Sequence, residues 1–489
     1  MKKYFYIAAS LFLLSGATSC SEGDLDMFPP NYDAIDNINS EENLQMFLNS
    51  AYLNMARANS FGAEIMMFGD ILSDNIYVSN FNTTYLTTYN MNYNSNQNQF
   101  GFYGTMYDVI MSCNTVINNV NAGDSDNVKR MKAESKILRA FAYFTLINYY
   151  SPSVASGVNQ EYGVPLVLGD YDVNITPARA SVGEVYEQVI KDFTEAIADA
   201  DDTPASKVML SKTAAKILLS RVYLSRRAAG DAQKALELSN DVINNSPSVF
   251  QPIDAGLEDN PSGTSYYVQY FSNMQTALTE NQPETVWELD INSKTNGFTG
   301  IGANIAISAF YDRVDSKRSL LVTKALYDEI NATTDVRKGL FTTTNVPNVD
   351  DPKGAWITKH PRLTDEGNYA RNNKIIRFSE AFLNRIEALY LIGDTSTALT
   401  ELNKFAQRRK GSQYTGENLL SDILKERQKE FLAEGYRFLD LKRYNLPLVR
   451  NTNCTMNCNV PAGDKLFVLP MSLTALTRNP NLTQYPGYN

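Results

Sequence analysis

TAAKILLSRVYLSRRAAGDAQKALELSNDVI, residues 213 to 243, and SEAFLNRIEALYLIGDTSTALTELNKFAQ, residues 379 to 407, follow one scheme. In each, a Tyr-Leu pair (Tyr223-Leu224, Tyr390-Leu391) precedes Gly-Asp and then Ala-Leu: Gly230-Asp231 with Ala235-Leu236, and Gly393-Asp394 with Ala398-Leu399. Small residues suit the places where paired helices approach, and Gly-Asp suits the end of one helix and the cap of the next. Each stretch is therefore predicted to fold as two helices joined by a tight turn. Tyr223 lies seven residues before Gly230 and Tyr390 three before Gly393, a difference of 7 − 3 = 4. That is about one helical turn, so the two units are degenerate copies.

Outward from these units the helical signal continues. In AESKILRAFAYFTLINYY, Ala133 to Tyr150, residues Ile137, Leu138, Phe141, Ala142, Phe144, Leu146 and Ile147 stack onto a broad apolar face, which predicts a buried helix. Ser181-Val-Gly-Glu184 has the spacing of a capping box and opens VYEQVIKDFTEAIADA, just after the loop that ends near Pro177. The chain thus reads as mainly α, a scaffold of tetratricopeptide-like hairpins placed mainly within 40–245 and 375–445. Between them lie polar, aromatic, Asn- and Gly-rich stretches, roughly Ser73 to Phe100, Ser246 to Phe310 and Thr342 to Arg371. These are too long for simple connectors, and segments of that kind carry function. The ligand face is expected mainly at 70–100 and 246–371. The runs Thr285 to Asp290 and Leu466 to Leu469 look strand-like and suggest small sheets or extended arms rather than a second β domain.

The first residues read as a lipoprotein signal. Lys2 and Lys3 precede an apolar run, Tyr4 to Leu14, and small residues Ser15 to Ser19 lead into Cys20. A run of 11 residues falls well short of the roughly 20 that cross a bilayer, so residues 1–19 are expected to be removed and Cys20 to be acylated. Ordinary cleavage with Cys20 as a bystander is the alternative, because Ala17 stands where Leu is usual. The following Ser21 to Asp26 is an acidic tether. The remaining 489 − 19 = 470 residues are ample for a large core. Against 44 basic residues stand 54 acidic ones, net charge −10, with no basic block, so a nucleic-acid partner lacks its electrostatic footprint.

Motifs for chemistry are few. There is no Gly-rich phosphate loop, no His-Glu-x-x-His and no Gly-x-Ser-x-Gly. The only histidine, His360, sits before Pro361 in a polar segment and reads as an exposed loop residue, which leaves little for a Ser-His-Asp or Cys-His engine. A glycoside hydrolase needs only two carboxylates, so that reading stays open. The densest charged stretch is LKERQKEFLAEGYRFLDLKRYN, Leu424 to Asn445. Glu426, Glu430 and Glu434 are spaced to share helix faces with neighbouring cations, which would keep their pKa values low. A buried ion-pair network that locks helices together is favoured over a paired-carboxylate site. Cys454 and Cys458 can close a small disulfide loop with Cys113 a buried thiol; a zinc site would want four N or S ligands. No metal and no cofactor are expected.

The same stretch, with Glu426-Arg427, Glu430-Phe431 and Glu434-Gly-Tyr-Arg437-Phe-Leu-Asp440-Leu-Lys-Arg443, resembles the C-terminal signature of the SusD/RagB-like family of outer-membrane glycan-binding lipoproteins. Leu138-Arg139 to Leu146, then Tyr162-Gly-Val-Pro165, Arg179 to Val182, Asp192, Ala214-Ala215, Asn331 to Arg337, Arg377 to Gly393 and the ending Leu469-Pro470 to Tyr488 follow in the family's order. Phe102 stands where members often have Trp. The resemblance covers nearly all of 20–489 and implies a single SusD-like domain with four tetratricopeptide-like hairpins and a loop-rich, minor-β ligand-binding part. It also implies non-catalytic capture of oligosaccharide or polysaccharide at the cell surface and delivery to a SusC-like TonB-dependent outer-membrane transporter, with the protein lipid-anchored and facing outward. A peptide-binding member of the same family is the runner-up.

A sugar offers C–H-rich faces and hydroxyl edges, so its site should combine aromatic platforms with hydrogen-bonding side chains. Within the expected ligand face the candidates are Tyr77, Tyr85, Tyr89, Tyr93 and Asn75, then Tyr266, Tyr267, Tyr270, Phe298 and Trp356. Trp287, inside the alternating run from Thr285, is assigned to the core instead.

Overall fold

The structure is a computed structural model that describes residues 38–96, 100–170, 172, 174–253, 264–292, 305–362 and 369–488. The signal-like segment, Cys20 and the acidic stretch after it lie outside the described residues. Eight helices form the scaffold: α1 (Glu41–Met55), α2 (Phe102–Ile117), α3 (Asp126–Tyr150), α4 (Val182–Asp199), α5 (Lys212–Arg226), α6 (Asp231–Asn245), α7 (Ser379–Leu391) and α8 (Thr395–Arg408). They pack as four pairs, α1 on α2, α3 on α4, α5 on α6 and α7 on α8, and each pair stacks on the next through α2–α3, α4–α5 and α6–α7. The mainly α, hairpin-built fold expected from the repeats is thus present. The fourth pair closes the series although residues 246–378 separate it from the third in sequence.

Local signals explain where the helices begin. Ser40, Ser125 and Ser211 each accept from the backbone N–H three residues on, and a cap of this kind contributes about 1 kcal/mol. At α4 the capping box is complete: Ser181 Oγ accepts from Glu184 N–H while the Glu184 carboxylate takes the Ser181 N–H at 2.7 Å. The two Gly-Asp turns differ in detail. Gly230 and Gly393 both adopt left-handed backbone, φ 83° and 89°. Asp394 caps α8 as expected, through Thr397 N–H, but Asp231 is the first residue of α6 and folds back to take both Nε and Nη2 of Arg226.

Short antiparallel two-stranded ladders, not a sheet domain, accompany the hairpins: Ile76–Val78, between α1 and α2, with Leu320–Val322; Thr285–Leu289 with Asn373–Arg377; Phe341–Thr342 with Trp356–Ile357; and Leu448–Val449 with Asn459–Val460. Trp287 lies fully buried in the second, with Phe141 and Tyr52 edge-on to its ring. Leu466 to Leu469 pairs into no sheet, and Val468 after the turn is extended. A 3₁₀ turn, Lys465–Phe467, begins that segment, and Leu469 N–H bonds the Tyr149 carbonyl at the end of α3 instead of a neighbouring strand.

The charged signature holds the insertion to the hairpins. Glu430, in the helix Leu419–Glu430, accepts from Arg377 Nη1 at 2.8 Å, from Arg409 Nε at 3.0 Å and from Arg337 Nη1 at 3.4 Å, all of them buried. Glu434 takes Arg377 Nε at 2.8 Å and Lys359 Nζ at 2.6 Å, while Asp440 takes Arg427 and Arg443. Burial pushes the Glu430 and Glu434 carboxyls up, but the arginines around Glu430, and Arg377 with Lys359 beside Glu434, overcome that and hold both below the usual range. These are fixed charges in a network, the wrong state for an acid catalyst. Gly435 completes the join. Its φ is +82°, and a Cβ there would sit 2.8 Å from the Met66 carbonyl, so only glycine lets the segment lie on the short helix Glu64–Ile71.

Two smaller expectations resolve here. Cys454 and Cys458 form a disulfide and Cys113 is a buried free thiol. His360 is not an exposed loop residue: it is half-buried, its Nε2 lies 2.7 Å from the Ala433 carbonyl, and burial drops its pKa to about 4. Its place before Pro361 in a polar segment points to the surface, but Ala433 of the signature segment packs against it.

Candidate functional site

The aromatic residues expected on the loop face mostly point the other way. Tyr77, Tyr85, Tyr89, Tyr93, Tyr267, Tyr270, Trp356 and Asn75 are all buried. Most have polar partners inside the protein. Gly354 N–H donates to the Tyr77 hydroxyl; Tyr89 donates to the Thr452 carbonyl at 2.6 Å, Tyr93 to that of Leu466 at 2.5 Å, and Tyr270 lies 2.8 Å from Thr285 Oγ1. Asn75 is held between Asp70 and Gln428. Tyr85 packs edge-on to Phe68 and Phe310, and Tyr267 lies under the Arg409 guanidinium. These eight are corrected from ligand platform to loop core. The long polar segments cross the hairpins and must bury apolar area of their own, and their large rings supply it. Tyr266 alone among the described candidates is well exposed, at 52%. Phe298 lies outside the described residues.

An open cleft with the chemistry sought lies elsewhere, at the start of α2. It encloses about 1130 Å³ of empty space, open solvent included. Its first wall is FGFYGTMY, Phe100 to Tyr107. Phe102 turns inward against Phe68, Tyr149 and Tyr150. Tyr103 and Tyr107, four residues apart and so on one helix face, stay half-buried with ring centroids 5.0 Å apart. Gly104, between them in sequence, leaves the cleft unobstructed, since a Cβ there would meet no atom within 4 Å.

The second wall is the loop carrying Pro165 and Val167, and it is fixed from below. Tyr143 accepts from Val167 N–H at 2.7 Å and donates to its carbonyl at 2.8 Å, Asn114 donates to the same carbonyl and to that of Gly169, and Tyr107 donates to that of Pro165. Arg139 holds Asn114 in turn and is itself clamped by both oxygens of Asp192. The third wall is the C-terminal helix Leu473–Arg478, capped by Ser472 and tied back through Gln484 to Ser95 and through Asn479 to the Pro177 carbonyl. The walls are therefore rigid before any ligand arrives, which limits the ordering cost of binding.

Polar groups remain available in this cleft. Among the described residues neither the Thr474 hydroxyl nor the Arg478 guanidinium has a hydrogen-bond or ion-pair partner, and both residues are exposed. Burial raises the Tyr103 and Tyr107 hydroxyls, with Arg179 acting weakly against it, so both stay protonated and neutral at ordinary pH. Two aromatic rings beside free donors and acceptors can take a pyranose face and bond its edges. By contrast the cavity between α3, α5 and the signature, about 700 Å³ with open solvent included, is lined mainly by apolar surface, and of its charged side chains Arg221 is held by Glu380 at 2.6 Å and Arg443 by Glu387.

Sequence reasoning missed this site because its rings stand at helical spacing, where an aromatic reads as core, and because its walls come from segments more than 300 residues apart, Phe100 and Leu482. The two glycines in FGFYGTMY were the available signal: a helix start kept bare on one side.

Residues 25–224 match a family described as starch-binding and associating with the outer membrane, and residues 310–488 match the SusD family. A SusD-like protein of Bacteroides ovatus is 23% identical over 384 residues, 71% of this chain; the match spans 65% of that protein's length. The fold is similar to that of a SusD superfamily protein from Bacteroides thetaiotaomicron, with TM-score 0.79 and 24% identity, over 91% of this chain and 100% of the other. It is also similar to a SusD-like carbohydrate binding protein from Bacteroides vulgatus, with TM-score 0.74 and 18% identity, over 91% and 97% of the two chains.

Proposed function

The chain belongs to the SusD/RagB-like family, and from that premise we propose that it binds oligosaccharide or polysaccharide at the outer membrane and passes it, chemically unchanged, to a SusC-like TonB-dependent transporter. The observation that carries the binding half is the open cleft in which Tyr103 and Tyr107 stand beside the unpartnered Thr474 and Arg478. Aromatic platforms with a few fixed polar groups are what a sugar ring needs, and the walls are pre-formed. The non-catalytic half is supported by the signature carboxylates, whose oxygens are held by arginines and lysine in the interior, away from solvent. Residues 20–489 are read as one functional unit, with the cleft rather than the buried Tyr77 to Tyr93 group as its ligand contact and Tyr266 as a secondary one. Cys20 is read as the lipid anchor, which keeps binder and transporter at high effective concentration.

Isothermal titration of the purified chain against a panel of neutral and acidic polysaccharides tests the reading, with Tyr103→Ala as control. Binding to at least one glycan, weakened tenfold or more by Tyr103→Ala, is expected. Peptides bound in place of every glycan, or a glycan shortened by the pure protein, would overturn it. Cys20→Ser should release the protein from the membrane and impair uptake while leaving binding in solution intact.

A further inference from the structure

Charge around the cleft is one-sided. Among the described residues Arg478 is the only charged one lining it, and no described Asp or Glu lines it. This occurs in a chain with ten more acidic than basic residues, 54 against 44. Inside the fold many arginines are paired: Arg139, Arg221, Arg226, Arg337, Arg377, Arg409, Arg427, Arg437 and Arg443 each hold an acid.

A second cation stands behind the aromatic wall. Arg179 donates to three backbone carbonyls, those of Tyr150, Gly163 and Thr483, and has no carboxylate. Its Nη2 is buried without a partner. It sits two residues from Pro177, which lines the cleft, and the Tyr150 whose carbonyl it bonds has its ring 5.0 Å from that of Tyr103. Two guanidinium groups with no carboxylate partner among the described residues thus stand near two rings, and cations so placed favour an anion. The planar fork of Arg478 suits bidentate contact with a carboxylate or a sulfate.

Resting on the glycan-binding reading, we infer that this cleft selects an anionic glycan, one whose sugar face lies on Tyr103 and Tyr107 while its acidic substituent meets Arg478. The substituent is a uronate carboxylate or a sulfate ester, which share the geometry the fork accepts. Thr474 then bonds a neighbouring sugar hydroxyl, and Arg179 contributes field without contact.

The test is titration of the purified full chain at low ionic strength with matched probes: polygalacturonate against its fully methyl-esterified form, and chondroitin sulfate against desulfated chondroitin. The more highly charged member of at least one pair, polygalacturonate or chondroitin sulfate, should bind tenfold or more tightly than its partner, the preference should fall severalfold in Arg478→Gln, and added salt should weaken it. The pair that shows the effect identifies carboxylate or sulfate. Arg478 is exposed and has no partner among the described residues, so Arg478→Gln is expected to fold, and circular dichroism checks this. Equal binding of both members of each pair, unchanged in Arg478→Gln, overturns the anionic preference and leaves glycan binding standing. Absence of binding to every glycan, charged or neutral, overturns the underlying reading as well.

Discussion

Arg377 Nη1 and Glu430 Oε1 meet 2.8 Å apart in the interior, both side chains at most 1% exposed, and through them the strand Asn373–Arg377 is joined to the helix Leu419–Glu430. Three arginines share that one carboxylate, so its removal strands several buried cations at once. Glu430→Ala is expected to cost on the order of 3–5 kcal/mol of stability, measured as a drop in the urea midpoint with the slope unchanged. A variant as stable as the parent would show the network to be dispensable. Because the carboxylate is structural, any Glu430 variant that does fold should bind glycan like the parent.

Gly104 gives a way to close the cleft without disturbing the core. A side chain there enters open space, and replacing a helical glycine gains about 0.5–1 kcal/mol in helix propensity. Gly104→Leu should therefore keep or slightly raise the melting temperature while weakening glycan binding at least tenfold. Unchanged affinity would place the ligand elsewhere, with exposed Tyr266 the next position to test.

The hairpins were legible before any coordinates because their signals are local: a capping serine, an apolar face at helical period, a glycine at a turn. Ser181 with Glu184, Trp287 and the charged signature all stand where the sequence puts them. Tyr77, Tyr89 and Tyr93 could not be placed this way, because an irregular loop has no period to say which side faces in. The strand-like Leu466 to Leu469 has the right residues but no partner strand, and pairing is decided by distant chain. The same distance hid the cleft: Tyr107, Pro165 and Arg478 share no local pattern and meet only when three segments converge.

Close backbone approach makes the signature glycine testable. Gly435→Ala must hold a left-handed φ of +82° and push its Cβ to 2.8 Å from the Met66 carbonyl. Gly69→Ala, on the facing helix, would bring a Cβ to 1.9 Å from the Gly435 carbonyl. Backbone strain and overpacking each cost roughly 1–3 kcal/mol, so both variants should lose at least about 2 kcal/mol, and Gly69→Ala more. Thermal unfolding of the two side by side checks the order.

Asp70 should make stability depend on pH in a direction opposite to ordinary surface carboxylates. It is fully buried, and burial raises its pKa from 3.8 to about 7 despite bonds from Asn75 and the Gly435 N–H. Between those two values the folded state binds a proton that the unfolded state has released, so the stabilisation is complete below pH 3.8 and is lost as pH rises through about 7. His360 works the other way: its pKa falls from 6.5 to about 4, so it destabilises the fold as pH drops below 6.5. Glu430, held below the usual carboxylate range, matters only under more acid conditions. Comparison with Asp70→Asn isolates the one group. From pH 4.5 to 7.5 the parent should lose on the order of 3 kcal/mol relative to the variant. Urea unfolding at the two pH values measures this difference directly, and parallel profiles for parent and variant would mean that Asp70 is ionised in the folded protein.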